Sequence, residues 1–407
     1  MAKINENYDK LASSYLFPEI ARRTKSFTEK NQGVKVLKLG IGNTTEPLAP
    51  SVIRGLSEGV AKLADVKTYT GYGDEQGDSR LRKAICENYA RLGISLESEE
   101  VFVSDGAKPD SANIQSIFSA SSKIAVQDPA YPVYVDSNVI GGHTGRANAI
   151  VYDKIYYMPC NEENGFFPEV PKEKVDLIYL CSPNNPTGAV ATKDQLKSFV
   201  EYAIKNKAVI IFDSAYSSYI VDKTLPKSIY EIEGAESCAI EISSFSKSAG
   251  FTGVRLGWSI VPKSLVAEDA PIGKINALWN RRQTTMFNGA SNIAQEGGLA
   301  ALTEDGIKEN QKIIEYYMEN AHIIREGLIK KGFEVYGGVN APYLWVKTPN
   351  GIKSWEFFDQ MLSEAHVVIT PGAGFGPSGE GYFRISAFGH RENIVEAVES
   401  IKDNLKI

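Results

Sequence analysis

Several classes of protein are excluded by what this sequence lacks. It has only four cysteines in 407 residues, Cys86, Cys160, Cys181 and Cys238, and no two of them form a CxxC pair. A chain of this length does not depend on a disulfide framework, so they read as buried apolar residues in a reducing compartment. The four histidines, His143, His322, His366 and His390, share no metal-ligand spacing and no HExxH occurs, so no metal is expected. No GxSxG elbow supports serine-hydrolase chemistry. No apolar run approaches the ~18 residues that cross a bilayer. The start, MAKINENYDK, has no apolar signal core, and the expected location is the cytoplasm. With a net charge of -6 the chain has no basic footprint for nucleic acid. Anionic substrates must then be caught by a few local cations. Low-complexity tracts, long Pro/Gly/Ser linkers and internal repeats are also missing.

What is present is alternation. Short Val/Ile/Leu/Tyr-rich runs end in turn residues and are followed by helical patterns. VFVSDG (101–106) leads into a helix near Lys108, and KIAVQDP (123–129) precedes another. LIYLCSPNNPTG (177–188) is a strand ending in a turn, after which Thr192 and Gln195 fit a capping box opening LKSFVEYAIKN. AVIIFDSAY (208–216) and CAIEISSFSK (238–247) repeat the design. Continuously apolar strands between helices predict a mostly parallel sheet covered on both faces, with ligands beyond the carboxyl ends of its strands. The last third reads differently. A helix over about 306–331 precedes FEVYGG, APYLWVKT, a helix near 355–363, VVITPG, YFRIS and a final helix. That mixture predicts a smaller α+β unit. GxGxxG at 374–379 is not a dinucleotide site, because Pro377 and the GYFRIS strand pattern prevent the required helix.

Three segments carry chemistry. Asp213 ends a buried strand in DSAY, where a carboxylate is costly unless a cation or donor meets it. Lys247 follows another apolar strand in SFSK, where its amine can form a Schiff base with an aldehyde. Arg255 lies eight residues on, in GFTGVRLGW, among glycines that permit close backbone approach. Together they match the needs of pyridoxal phosphate. Lys247 would hold the aldehyde, and Asp213 would keep the pyridine nitrogen protonated so that the ring acts as an electron sink. Ser244, Ser246 and Arg255 would bind the phosphate.

On SPNNPTG, DSAY, SFSK with GVRLGW, and YFRIS, in that order, the chain resembles the class I aminotransferases of pyridoxal-phosphate fold type I. The resemblance implies an α/β fold with a large cofactor-binding domain over 47–290 built on a seven-stranded-type sheet. A smaller α+β domain would combine 1–46 with 291–407. It also implies roles. Asn185 and Tyr216 should hydrogen-bond the cofactor's phenolic oxygen, Ala107 and Lys108 should serve the phosphate at a helix start, and Tyr131 should stack on the ring. Arg384 should clamp the substrate α-carboxylate, and Tyr72 should reach the phosphate of a neighbouring subunit, making the site a homodimer property. YLFPEIARR, KLGIGNTTEPL, TYTGYGDEQG, QDPAYPVY, FNGAS, APYLWVK and TPGAGFGPSGEGYFRIS are, within that class, similar to the LL-diaminopimelate aminotransferases. By that likeness the substrates are tetrahydrodipicolinate and glutamate, giving LL-diaminopimelate and 2-oxoglutarate. Tyr15, Gly42, Lys108, Tyr131, Asn185, Asn288 and Arg384 would line the pocket, with Asn288 near the cofactor too. Glu75 would meet the substrate's distal ammonium. One departure is QGDSRLR, where the family has an apolar or aromatic residue and often proline; Asp78 there reads as a helix cap. A lyase on the same scaffold and a non-catalytic regulator are the competing readings.

Overall fold

The computed structural model describes residues 1–11, 16–148 and 151–407. Its centre is a seven-stranded sheet made of β1 (Val101–Ser104), β2 (Ile124–Asp128), β3 (Ile155–Pro159), β4 (Leu177–Cys181), β5 (Val209–Asp213), β6 (Ala239–Ser244) and β7 (Gly257–Ile260), in the order β1-β7-β6-β5-β4-β2-β3. Strands β6, β5, β4, β2 and β3 run parallel; only β7 is antiparallel to its neighbours β6 and β1. The expected mostly parallel sheet is therefore what forms. Alternation within β4 shows why its strands read as unbroken apolar runs. Leu177, Tyr179 and Cys181 pack on one face with Val209, Ile211 and Trp279, whereas Ile178 and Leu180 pack on the other with Leu196, Phe199 and Val200. Both faces are covered, so neither set of side chains is polar.

Helices complete the layers. α1 (Leu16–Lys30) precedes α2 (Pro50–Lys62) and α3 (Ser79–Ala90); α4 (Ala107–Asn113) and α5 (Val133–Ile140) follow β1 and β2. α6 (Lys193–Asn206) opens on the capping box read from the sequence: Thr192 Oγ1 accepts the Gln195 N–H at 3.2 Å, and Gln195 Oε1 accepts the Thr192 N–H at 2.9 Å. Asp78 caps α3 by a single bond, accepting the Arg80 N–H at 2.8 Å. α7 (Phe245–Ser248) is a single turn after β6, and α8 (Lys274–Met286) follows β7. α9 (Asn292–Leu302) packs with α2 and α3 beside β1 and β7. The long α10 (Glu304–Lys331) ends at Gly332, in the left-handed conformation, with Lys330 and Lys331 in its last turn.

A second core is built on an antiparallel sheet of β8 (Val335–Gly337), β9 (Tyr343–Lys347), β10 (Thr370–Pro371) and β11 (Tyr382–Ser386), in the order β8-β9-β11-β10. α11 (Ser354–Glu364), α12 (Arg391–Asn404), α1 and part of α10 cover it, and Leu37–Lys38 pairs in parallel with Val367–Val368. Residues from both ends of the chain thus share one core. The glycine-rich run at 374–379 forms short 3-10 turns, not a helix. Cys160, Cys181 and Cys238 are buried as expected, and Cys86 is only half-buried. No helix of the described residues is long and apolar enough to cross a membrane.

The capping box has a measurable consequence. Thr192→Ala should remove one acceptor and cost about 1 kcal/mol, seen as a lower denaturation midpoint, whereas Thr192→Ser should retain most of it.

Candidate functional site

The carboxyl ends of β2, β4, β5 and β6 open into a cleft of about 340 Å³. Each strand delivers residues there because its apolar run stops where polar side chains begin. β5 ends at Asp213, which is 8% exposed. Its Oδ2 accepts a hydrogen bond from Tyr134 Oη at 2.7 Å and its Oδ1 accepts the Ala215 N–H at 3.0 Å. Burial raises this carboxyl above its ordinary range, and those two donors only partly oppose the shift. No cation among the described residues pairs with it.

Strand β6 ends at Ser244, whose Oγ caps the short α7 by accepting the Ser246 N–H at 3.0 Å. That turn carries Lys247 into the cleft. Its ammonium donates to the Gly42 carbonyl and stands 5.0 Å from the centre of the Phe388 ring. Burial, then repulsion from Arg384 and Arg255, lowers its pKa to about 7. A lysine in that state is largely a free amine at mildly alkaline pH, which is the form that attacks an aldehyde or accepts a carbon-bound proton.

Arg255 is held with φ of +68°, in the left-handed region, and its Nη1 donates to Ser246 Oγ and to the Thr252 carbonyl, both at 3.2 Å. Gly106 stands at the start of α4 with φ of +133°; a Cβ there would fall 2.4 Å from Arg255 Nη2. The glycine keeps the backbone against the guanidinium, and Ala107 and Lys108 extend the same wall. Lys108 Nζ lies 5.9 Å from the Tyr131 ring centre, and Tyr131 lines the cleft.

Arg384 comes from the smaller sheet. It sits on β11 opposite Trp345 of β9 and Thr370 of β10, and is 1% exposed. Its Nη1 donates to Asn185 Oδ1 and its Nη2 to the Gly40 carbonyl, each at 2.6 Å. The guanidinium lies 4.4 Å from the Tyr343 ring centre and 5.0 Å from that of Phe375. Tyr343 Oη is in turn 2.8 Å from Tyr216 Oη. Gly42 is fixed by the same ring, since a Cβ there would meet Tyr343 Oη at 2.2 Å.

Of the residues singled out in the sequence, Lys247, Asp213, Tyr216, Asn185, Ser244, Ser246, Arg255, Ala107, Lys108, Tyr131, Gly42 and Arg384 line this one cleft. Tyr72, Glu75 and Asn288 do not line it; Tyr72 is 90% exposed. They lie near one another elsewhere: a Cβ on Gly289 would be 3.6 Å from Glu75 Cα, and Asn292 Nδ2 donates to the Gly71 carbonyl at 2.9 Å. Tyr15 is outside the described residues. Sequence reasoning missed Tyr134, Tyr343 and Thr370. Tyr134 had a signal, lying one helical turn past Tyr131. Tyr343 had none, because a tyrosine at a strand start reads as core.

The donor set fits pyridoxal phosphate. A buried carboxylate without a cation suits a pyridinium N–H, an amine near neutrality suits its aldehyde, and Arg255 with Ser246 and the Gly106 wall suits its phosphate.

Comparison with known proteins agrees. The family described as aminotransferase class I and II matches residues 34–401. An L,L-diaminopimelate aminotransferase from Chlamydomonas reinhardtii is similar at 50% identity, covering 99% of this chain and 98% of that one, with a TM-score of 0.94. An aromatic aminotransferase from Pyrococcus horikoshii is similar at 26% identity, covering 92% and 97%, with a TM-score of 0.79. A mutant aspartate aminotransferase from Thermus thermophilus, at 21% identity over 99% of each chain and a TM-score of 0.84, shares the fold.

Electrostatics at Lys247 gives a test. In the cofactor-free chain, reductive trapping of a simple aldehyde on Lys247 should be half-maximal near pH 7, not near 10.5. Arg384→Ala removes a repelling charge, so the midpoint should move upward; an unmoved midpoint would mean that Arg384 does not act on the amine.

Proposed function

This chain belongs to the class I and II aminotransferases, and from that premise we propose that it moves an amino group between glutamate and tetrahydrodipicolinate, giving LL-diaminopimelate and 2-oxoglutarate reversibly. It is a pyridoxal-phosphate-dependent transaminase. The substrate assignment rests on one observation: 50% identity, over essentially the whole of both chains, to an L,L-diaminopimelate aminotransferase. We place the reaction in the cytoplasm, in lysine and peptidoglycan precursor synthesis, and in a homodimer.

Bound pyridoxal phosphate supplies an aldehyde for the amine and a ring that accepts the electron pair left at the substrate α-carbon. The protein's residues do the rest. The Lys247 amine would take the proton from the substrate α-carbon and return it to the carbon on the far side of the amino nitrogen, two bonds away; a pKa near 7 would let it do both. Asp213, braced by Tyr134, stabilises positive charge on the ring nitrogen. Asn185 and Tyr216 donate toward the phenolic oxygen. Ser244, Ser246, Arg255 and the Ala107–Lys108 turn hold the phosphate, joined by Tyr72 of a second copy of the chain. Tyr131 covers the ring.

Arg384 binds the α-carboxylate with its planar fork, and the Asn185 and Gly40 bonds hold that fork rigid before substrate arrives. A substrate with two amino-acid ends needs a second polar anchor, and a site built for one rejects substrates lacking it. Glu75, from the second copy, is assigned to that end, and Tyr15, Gly42, Lys108 and Asn288 are assigned to the lining of the substrate pocket. The division into residues 47–290 and 1–46 with 291–407 belongs to the same proposal, because Arg384 and Lys247 then stand on different units.

Lys247→Ala should abolish the visible band of the bound cofactor. Arg384→Ala should lower kcat/KM at least tenfold for every amino acid, as expected for losing a charged hydrogen bond of about 1.5–3 kcal/mol. The substrate is tested by a single-turnover spectral assay of the purified holoenzyme. LL-diaminopimelate and glutamate should convert the cofactor to its amine form and aspartate hardly at all; conversion by aspartate with no response to LL-diaminopimelate would remove the named substrate.

A further inference from the structure

A second cavity, of about 320 Å³, lies behind the cleft. The two share Ala215 and Ser244, and α7 stands between them: Ser246 and Lys247 line the cleft, while Phe245, Ser248 and Ala249 line the cavity behind. This cavity takes no part in the reaction described above.

Its lining has two characters. Trp258, Leu302, Ile307 and Ile314 give it an apolar wall. Its polar side holds groups without partners. Asn310 is 5% exposed, yet its side-chain Oδ1 has no hydrogen bond, and the buried Ser218 hydroxyl has none either. Lys227, half-buried at the same lining, forms no ion pair among the described residues; its neighbour Glu231 is paired with Lys193 at 3.5 Å. Burial lowers the proton affinity of the Lys227 amine, and the charge of Glu231 opposes that only in part. Buried polar groups are seldom left unpaired, and several facing one cavity point to a ligand that completes them.

We propose that this cavity is a ligand site for a small carboxylate that carries a hydrogen-bond donor on its α-carbon and an apolar body, a 2-hydroxy or 2-amino acid, and that its occupancy acts on Lys247 through α7. The carboxylate meets Lys227 and Ser218, the α-donor meets Asn310 Oδ1, and the body packs on Trp258 and Ile314. Phosphate fits less well, because half of the lining is apolar. The coupling is steric. A single helical turn, capped by Ser244, has one side in each cavity, so a ligand pressing on Phe245 and Ser248 shifts the neighbouring amine.

The probe is 4-bromomandelate, which has the carboxylate, the α-hydroxyl and an apolar body but no amine to transfer. Crystals of the holoenzyme soaked with it should show an anomalous bromine peak beside Trp258. Lys227→Met should abolish that peak. Asn310→Leu, which fills the polar side, should abolish it as well. Neutral 4-bromomandelamide should give none. In solution the probe should change kcat for glutamate at least twofold with KM unaltered, and Lys227→Met, active without probe, should be insensitive. Bromine only in the cleft beside Arg384, an undiminished peak in both variants, or equal binding of the amide would overturn the site. A bound probe that leaves kcat unchanged would overturn its coupling to Lys247.

Discussion

Burial of like charges in one cleft is the constraint on which the site depends. Lys247, Arg255 and Arg384 enter one cleft, and Asp213, the carboxylate among them, is bonded to Tyr134 and Ala215 instead of to any of the three. Two of these cations are guanidinium groups, which offer donors and no acceptor. Burial first, and then repulsion from the two guanidinium groups, acts on the amine, whose pKa drops to about 7. The same burial that, with the repulsion, keeps Lys247 reactive leaves two guanidinium groups that need anions, and the substrate and cofactor bring a carboxylate and a phosphate. Reactivity and recognition thus come from a single electrostatic arrangement.

Holding those charges requires two cores. The parallel sheet fixes Asp213 and Lys247 at the ends of adjacent strands, β5 and β6, with Tyr134 braced from α5. Arg384 belongs to the antiparallel sheet and reaches the cleft from the opposite side, tied to Asn185 of the turn after β4 and to Gly40. The Tyr216–Tyr343 hydroxyl pair crosses the same divide. Gly42, without a side chain because Tyr343 occupies that space, presents its carbonyl to Lys247. The N-terminal segment, whose Leu37–Lys38 pairs with Val367–Val368, is thereby structural on one side and part of the cleft on the other.

Residues whose chemistry is local were legible in the sequence. Asp213 and Lys247 each follow an unbroken apolar strand, and the reason such a run predicts a site is physical: only a sheet buried on both faces has such strands, and only its ends meet solvent. Thr192 and Asp78 were readable as caps because capping is a three-residue matter. Arg384 was readable through its resemblance to known family motifs, not through its own pattern, since YFRIS places an arginine among apolar residues. Tyr343 and Thr370 escaped because their roles exist only across long-range pairings: Thr370, on β10, opposite Arg384, and Tyr343 in one buried cluster with Tyr216, 127 residues away in the chain. No spacing rule encodes such a contact.

Tyr72, Glu75 and Asn288 stand apart from the residues of the cleft. The resemblance assigns all three to a ligand pocket, yet they sit close together on the chain's own exterior and outside its cleft. A tyrosine that is 90% exposed gains nothing from its ring in isolation. Met286, 69% exposed, and Tyr69, 63% exposed, lie within a few residues of them in the chain. Three residues that fail together, and do so as neighbours, call for one explanation in place of three errors. Under the proposed dimer that patch faces the cleft of a second copy, so the pocket's distal end would be built in trans. The length of substrate accepted would then be set by how two subunits meet, and the chemistry at its near end by the arrangement within one.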